Sequence, residues 1–192
     1  MIVIGIDPGF QGGVAAVNEE GEFVFVADLL YNGTMPDVSA LARLFAGAGT
    51  NLRAVFIEEP ITRGRQDVRS TAKQWLGYGA LLAAASLACA NGVPIFTPTP
   101  AKWKAAMSLT KDKKFSIGMA QALFPAAELV PQGHRVPSDG RAEALLLATF
   151  GWRALYGNAS ADATLPTEAG GGERTTDSAV LGSAEHAEPA DY

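Results

Sequence analysis

The chain has 192 residues, enough for one domain with a full core plus an appendage, and 48% of them are hydrophobic, as in ordinary globular proteins. Cys89 is the only cysteine, which excludes an intrachain disulfide and a thiolate zinc cluster; with no signal-peptide pattern and no apolar stretch of membrane-spanning length, a soluble cytoplasmic protein is expected. The formal charge of −5 does not exclude a nucleic-acid partner, because residues 60–114 carry nine Lys or Arg against Asp67 and Asp112, while residues 1–59 carry two against eight acids.

Ile2, Val3, Ile4 and Ile6 form a short apolar run that reads as a strand buried on both faces. Asp7 ends it, Pro8-Gly9 turns the chain, and Gly12-Gly13 opens a second strand through Val14–Val17. Asp7 either caps the turn through an Asx hydrogen bond or serves as a metal ligand or phosphate-facing acid. After the turn Asn18–Gly21, Glu22–Ala27 is a third strand, so the chain begins with an antiparallel meander. Val38, Leu41, Leu44 and Phe45 predict an amphipathic helix over Asp37–Ala48. Arg53–Glu58 is the fourth strand and, like the first, runs apolar to a carboxylate.

Ile61–Asp67 is a basic loop, and a long core helix runs from about Val68 to Ala90. Val93–Phe96 is a fifth short strand. Thr99-Pro100 has the form of a helix start, with Thr99 as N-cap, and that helix carries Lys102, Trp103 and Lys104. Lys111–Lys114 leads into a further helix that ends at Phe124-Pro125. His134, in the loop Pro131–Pro137, reads as a solvated histidine. Ser138-Asp139 starts the last helix, almost wholly apolar from Ala142 to Phe150. Asp139 and Glu143 are four apart, hence on one face and about 6 Å apart along the axis. The dipole accounts for Asp139 in the first turn, but Glu143 sits within an apolar helix, and the pair needs a cation or solvent between its members. Residues 158–192 carry seven acids against Arg174 with no apolar periodicity and are expected to be an acidic disordered tail beyond a domain of residues 1–157.

If the two strand ends and the last helix are neighbours, Asp7, Glu58, Asp139 and Glu143 converge on one cleft. Hard oxygen ligands without Cys or clustered His select Mg²⁺ or Mn²⁺. Two such ions about 4 Å apart can activate water and stabilise the leaving oxygen in phosphodiester hydrolysis. The basic middle, through Arg63, Arg65, Arg69, Lys73, Lys102, Lys113 and Lys114, would neutralise flanking DNA phosphates.

Gly5-Ile-Asp-Pro-Gly9, Phe56-Ile-Glu58 and Asp139-Gly-Arg-Ala-Glu-Ala-Leu-Leu146 resemble the three acidic motifs of RuvC-like Holliday-junction resolvases, in the ribonuclease H-like superfamily, and are most similar to phage-encoded members. Thr97–Lys104, Lys111–Lys114 and Leu123–Pro125 resemble that family's lysine-bearing segment. The resemblance covers nearly all of residues 1–157 and none of the tail. It implies metal-binding catalytic acids at Asp7, Glu58, Asp139 and Glu143, and a lysine near the scissile phosphate at Lys104, with Lys113 or Lys114 as alternatives. Two features depart from the pattern. Many relatives place the last two acids three apart rather than four, and members with strong junction preference carry an aromatic where this chain has Glu59-Pro-Ile-Thr62. Glu59 is the rival ligand at its strand end; Glu58 follows the apolar run directly and matches the family position.

The expectation is an α/β fold with a mixed five-stranded sheet and helices on both faces, a ribonuclease H-like domain. Its expected activity is Mg²⁺-dependent nicking of branched DNA, as a homodimer so that two strands are cut. The alternatives are an actin-like or sugar-kinase ATPase, whose phosphate loop favours a hydroxyl residue where this chain has Phe10-Gln-Gly-Gly13, and a non-catalytic module that binds branched DNA.

Overall fold

In the computed structural model, which describes residues 1–62, 67–89, 92–110 and 112–157, the chain builds one five-stranded sheet with helices on both faces. The expected tail at 158–192 lies outside the described residues, as do Arg63 and Arg65. Among the described residues no helix is long and apolar enough to cross a membrane.

Strands β1 (Ile2–Ile6), β2 (Gly13–Asn18) and β3 (Phe23–Asp28) form the antiparallel meander. Two-residue strands β4 (Tyr31–Asn32) and β5 (Met35–Pro36) make a small separate ribbon. Helix α1 (Val38–Ala48) and a 3₁₀ turn lead to β6 (Leu52–Ile57), which pairs parallel with β1. Helix α2 (Val68–Ala88) crosses to β7 (Ile95–Phe96), parallel to β6. Helices α3 (Pro100–Ala106), α4 (Lys113–Leu123) and α5 (Asp139–Tyr156) complete the chain, and the sheet order is β3-β2-β1-β6-β7.

Each helix begins where a side chain can accept an unpaired first-turn N–H. Asp37 accepts from Ala40, Asp67 from Ser70, Thr99 from Lys102 with Pro100 in the first turn, Asp112 from Lys114, and Ser138 from Arg141.

The strand pleat divides the core in two, because successive side chains leave opposite faces of a sheet. Val3, Val17, Ala54 and Phe56 pack with Trp103, Ala120, Leu145 and Phe150 on the face of α3, α4 and α5. Ile4, Ile6, Val55 and Ile57 pack with Leu41, Phe45, Tyr78 and Leu81 on the face of α1 and α2. Helix α5 is buried without interruption from Ala142 to Gly151 and lies directly on β1. Gly5 permits this approach, since a Cβ there would overlap the Ala144 carbonyl and the Ala148 nitrogen. The β1–β2 turn meets the first turn of α5 equally closely, where Gly12 bridges Gly140 and an added Cβ on Gly13 would stand 2.7 Å from the Gly140 carbonyl oxygen. Arg141 locks that junction: Nε and Nη2 donate to the Asp28 carboxylate at 2.7 and 2.9 Å, and Nη1 donates to the Glu128 carbonyl at 2.7 Å.

Candidate active site

The same pleat decides which acids share a face. Val3 and Gly5 face α5, so Asp7, two residues further on, emerges on that side. Ala54 and Phe56 face α5 as well, so Glu58 follows them and Glu59 leaves by the opposite face. Ile6 and Ile57 are partners in the parallel ladder, and the Glu58 N–H donates to the Ile6 carbonyl at 3.0 Å, which sets Asp7 and Glu58 side by side at adjacent strand ends. Tyr78 on α2 is raised by its burial and, more weakly, by the charge of Glu59, in keeping with Glu59 on the α2 side.

Asp7, Glu58, Asp139 and Glu143 all line one cleft of about 1200 Å³, together with Lys104 and Lys113. They are held in two different ways. Asp7 Oδ1 accepts the Gly9 N–H at 3.0 Å, so the Asx turn and the cleft position coexist in one residue. Glu58 Oε2 accepts the indole N–H of Trp103 at 2.6 Å; that side chain is fully buried beneath α3. Neither of these hydrogen-bond partners is cationic. Burial pushes Asp7 up to about 6 against the bonding pull of Gly9, with the charges of Glu143 and Asp139 adding to the rise. Burial and then the charge of Asp7 push Glu58 up to about 7.

The α5 acids, in contrast, each hold a lysine. Glu143 is nearly buried, and its Oε1 accepts from Lys104 Nζ at 2.7 Å and from Ser116 Oγ at 3.2 Å. Asp139 pairs with Lys113, whose ammonium is raised chiefly by that bond. The Lys104 ammonium also stands 5.2 Å from the Trp103 ring centre. Trp103 and Lys104, neighbours on α3, thus serve one strand-end acid and one α5 acid. With the side chains so placed, no three His, Cys, Asp or Glu among the described residues stand close enough together to hold an ion. The donor set nevertheless fits a hard divalent cation: it is all carboxylate oxygen, and two of its members, Asp7 and Glu58, are half-buried with no cationic hydrogen-bond partner among the described residues.

Arg69 and Lys73 are exposed on α2, Lys102 on α3 and Lys114 on α4; none of these four lines the cleft, whereas Lys113 does. His134 is exposed in its loop. Three participants were not legible from the sequence. Trp103 and Ser116 reach the acids only through tertiary packing, and Tyr31, whose hydroxyl donates to the Pro8 and Gly9 carbonyls at 3.0 and 3.2 Å, fixes the β1–β2 turn from the small ribbon.

No protein-family model matches the chain, and no curated protein matches it. Solved structures do match. RuvC of Thermus thermophilus in complex with a Holliday junction substrate superposes with a TM-score of 0.57 at 24% identity, over 82% of this chain and 96% of that one. A second Thermus thermophilus RuvC structure gives 0.57 and 24%, over 82% and 97%. The yeast mitochondrial Holliday junction resolvase Ydc2 follows with 0.48 and 19%, over 82% and 80%. The two RuvC likenesses establish the fold: the mixed sheet β3-β2-β1-β6-β7 with its helices is the ribonuclease H-like fold of RuvC.

Proposed function

We propose that this chain is a RuvC-like resolvase of the phage-encoded type: a divalent-metal-dependent endonuclease that resolves Holliday junctions or other branched DNA by paired nicks. The observation that carries this reading is the meeting of four carboxylates from β1, β6 and α5 with two lysines in one cleft of a RuvC fold. Asp7, Glu58, Asp139 and Glu143 would hold two Mg²⁺ ions, or Mn²⁺, which supply an activated water nucleophile and a Lewis acid for the departing oxygen.

The chain's own side chains do the rest. Trp103 fixes the Glu58 carboxylate, and the Gly9 amide fixes that of Asp7, so the two strand-end acids are preorganised before substrate arrives. Lys104 lies within reach of a phosphate at the acids and stabilises the charge that grows on its oxygens during attack. Arg69, Lys73, Lys102, Lys113 and Lys114, with Arg63 and Arg65, bind the flanking backbone. The enzyme acts in the cytoplasm as a homodimer, which provides two clefts for two nicks. The exposed Leu76 and Leu87 on α2, 62% and 80% accessible, suit that face to the second copy.

The test is a cleavage assay on a four-way junction, a flap and a linear duplex, each with Mg²⁺, Mn²⁺ or EDTA. Metal-dependent nicks at matched positions in opposing strands of the junction are expected. Junction binding with no cutting in either metal would leave a binding module and overturn the nuclease.

A further inference from the structure

The wall of the cleft formed by the β1–β2 turn ends in an aromatic ring that the chemistry above does not use. Phe10 is 72% exposed and lines the same cleft as the four acids. Isolated apolar side chains are common on protein surfaces, so exposure alone means little. This ring, however, stands on a backbone fixed from several sides. The Gly9 N–H is bound to Asp7 Oδ1, the Gly12 N–H donates to the Gly9 carbonyl at 2.7 Å, and the Tyr31 hydroxyl holds the Pro8 and Gly9 carbonyls. Tyr31 also backs the ring itself, with centroids 5.0 Å apart and planes tilted by 54°. The ordering cost is met in the free protein, which leaves the rest of the ring to a ligand.

The ligand's chemistry follows from the surroundings. Phe10 has no charge and no hydrogen-bonding group, so it cannot hold a phosphate; its π-face suits another flat ring. The cleft walls carry acids and lysines, which suit a nucleic-acid strand rather than an apolar protein face. Pro60 and Ile61, which follow Glu58, line the same cleft and add apolar surface. Phe10 is three positions along from Asp7, so their Cα atoms are at most about 11 Å apart. That is roughly three nucleotides along one stacked strand. We infer that Phe10 is a stacking platform for a nucleobase splayed out at the branch point, within about three nucleotides of the scissile phosphate, with Tyr31 as its support. The inference rests on the branched-DNA reading above and gives that reading a residue that tells a branch from a duplex, whose bases are already stacked.

The experiment places 2-aminopurine, singly, at each position flanking the branch of a four-way junction and reads its fluorescence on binding in EDTA. Wild type, Phe10→Ala, Phe10→Leu and Phe10→Trp are compared, with junction and duplex affinities measured in parallel. Wild type and Phe10→Trp should change the fluorescence at one or two positions, and the Ala and Leu variants should lose that change. Junction affinity of the Ala and Leu variants should fall about tenfold or more, as for loss of one stacked base, with duplex affinity unchanged. Phe10→Leu matching wild type in both readouts would overturn the inference, since leucine keeps the apolar bulk but not the ring. A wild-type protein that gives the signal yet never cuts overturns the nuclease reading alone, and one with no preference for junction over duplex overturns both.

Discussion

Replacing Asp7 with Asn should stabilise the metal-free protein at neutral pH and leave it almost unchanged in acid. The folded Asp7 carboxyl is raised from an ordinary 3.8 to about 6, because burial penalises its charged form. The folded state therefore binds this proton more tightly than the unfolded state does, and stability falls as pH rises from about 4 through 6. A shift of roughly two units corresponds to about 3 kcal/mol, present in full above pH 7 and mostly absent near pH 4. Asparagine carries no charge to bury, and its Oδ1 can still accept the Gly9 N–H, so the turn is preserved. The Glu58 carboxyl, raised to about 7 in part by Asp7, should relax downward in the variant and add to the gain. Urea unfolding in EDTA at about pH 4 and about pH 8 measures this directly. For a domain of this size, 3 kcal/mol also corresponds to roughly 6–12 °C in Tm. Mg²⁺ should then close the gap by stabilising wild type more than the variant. A difference between variant and wild type that is the same at both pH values would refute the reasoning, because it would owe nothing to the carboxylate's ionisation.

Asp139→Asn and Glu143→Gln should each abolish metal-dependent cleavage while leaving junction binding measurable; near wild-type nicking by either would remove that acid from the site. Lys104→Ala should lower the rate at saturating DNA, whereas exposed Arg69→Ala should weaken binding and reduce the slope of log affinity against log salt by about one. Equal effects of the two on rate and affinity would reduce Lys104 to one more phosphate contact. Deleting 158–192 should leave Tm unchanged and tighten DNA binding modestly, since a segment with seven acids against Arg174 is removed; a large fall in Tm would show the segment to be docked structure.

The strands and helices were legible wherever a local pattern carried them. The five strands of the sheet follow from their apolar runs, and Thr99-Pro100 and Ser138-Asp139 mark helix starts by chemistry that acts within one turn. The ribbon Tyr31–Asn32 with Met35–Pro36 was not legible, because two-residue strands have no periodicity to detect. The choice of Glu58 over Glu59 rested in the sequence on the apolar run and the family position, and becomes a matter of parity once the sheet is known, since Phe56 faces α5 and Glu58 must follow it. The anomaly of Glu143 could be read, as an acid within an apolar helix, but its partners could not. Lys104 lies 39 residues away in the chain and Ser116 lies 27, distances over which no sequence period operates.

The distribution of charge in the cleft has a further consequence. Four carboxylates face two lysines there, and each lysine is engaged by an α5 acid. Asp7 and Glu58 are left with an amide and an indole, neutral donors that orient a carboxylate without cancelling its charge. A scissile phosphate entering this cleft adds another negative charge to an already acidic site, and in a partly desolvated cleft such repulsion is poorly screened. Divalent cations at the acids would reverse the sign of that interaction, so cation and phosphate should each favour the other's binding, with reciprocal coupling. Basic residues outside the cleft, Arg69, Lys73, Lys102 and Lys114, have no such dependence. Removing metal should therefore weaken the grip at the branch while sparing that on the arms. Footprinting of the junction with non-cleaving Glu143→Gln in Mg²⁺ or EDTA should show protection at the branch weakened in EDTA and flanking protection retained. Junction affinity should fall roughly tenfold. Protection at the branch that is indifferent to metal would mean that the phosphate does not enter among the acids, and would place the chemistry elsewhere.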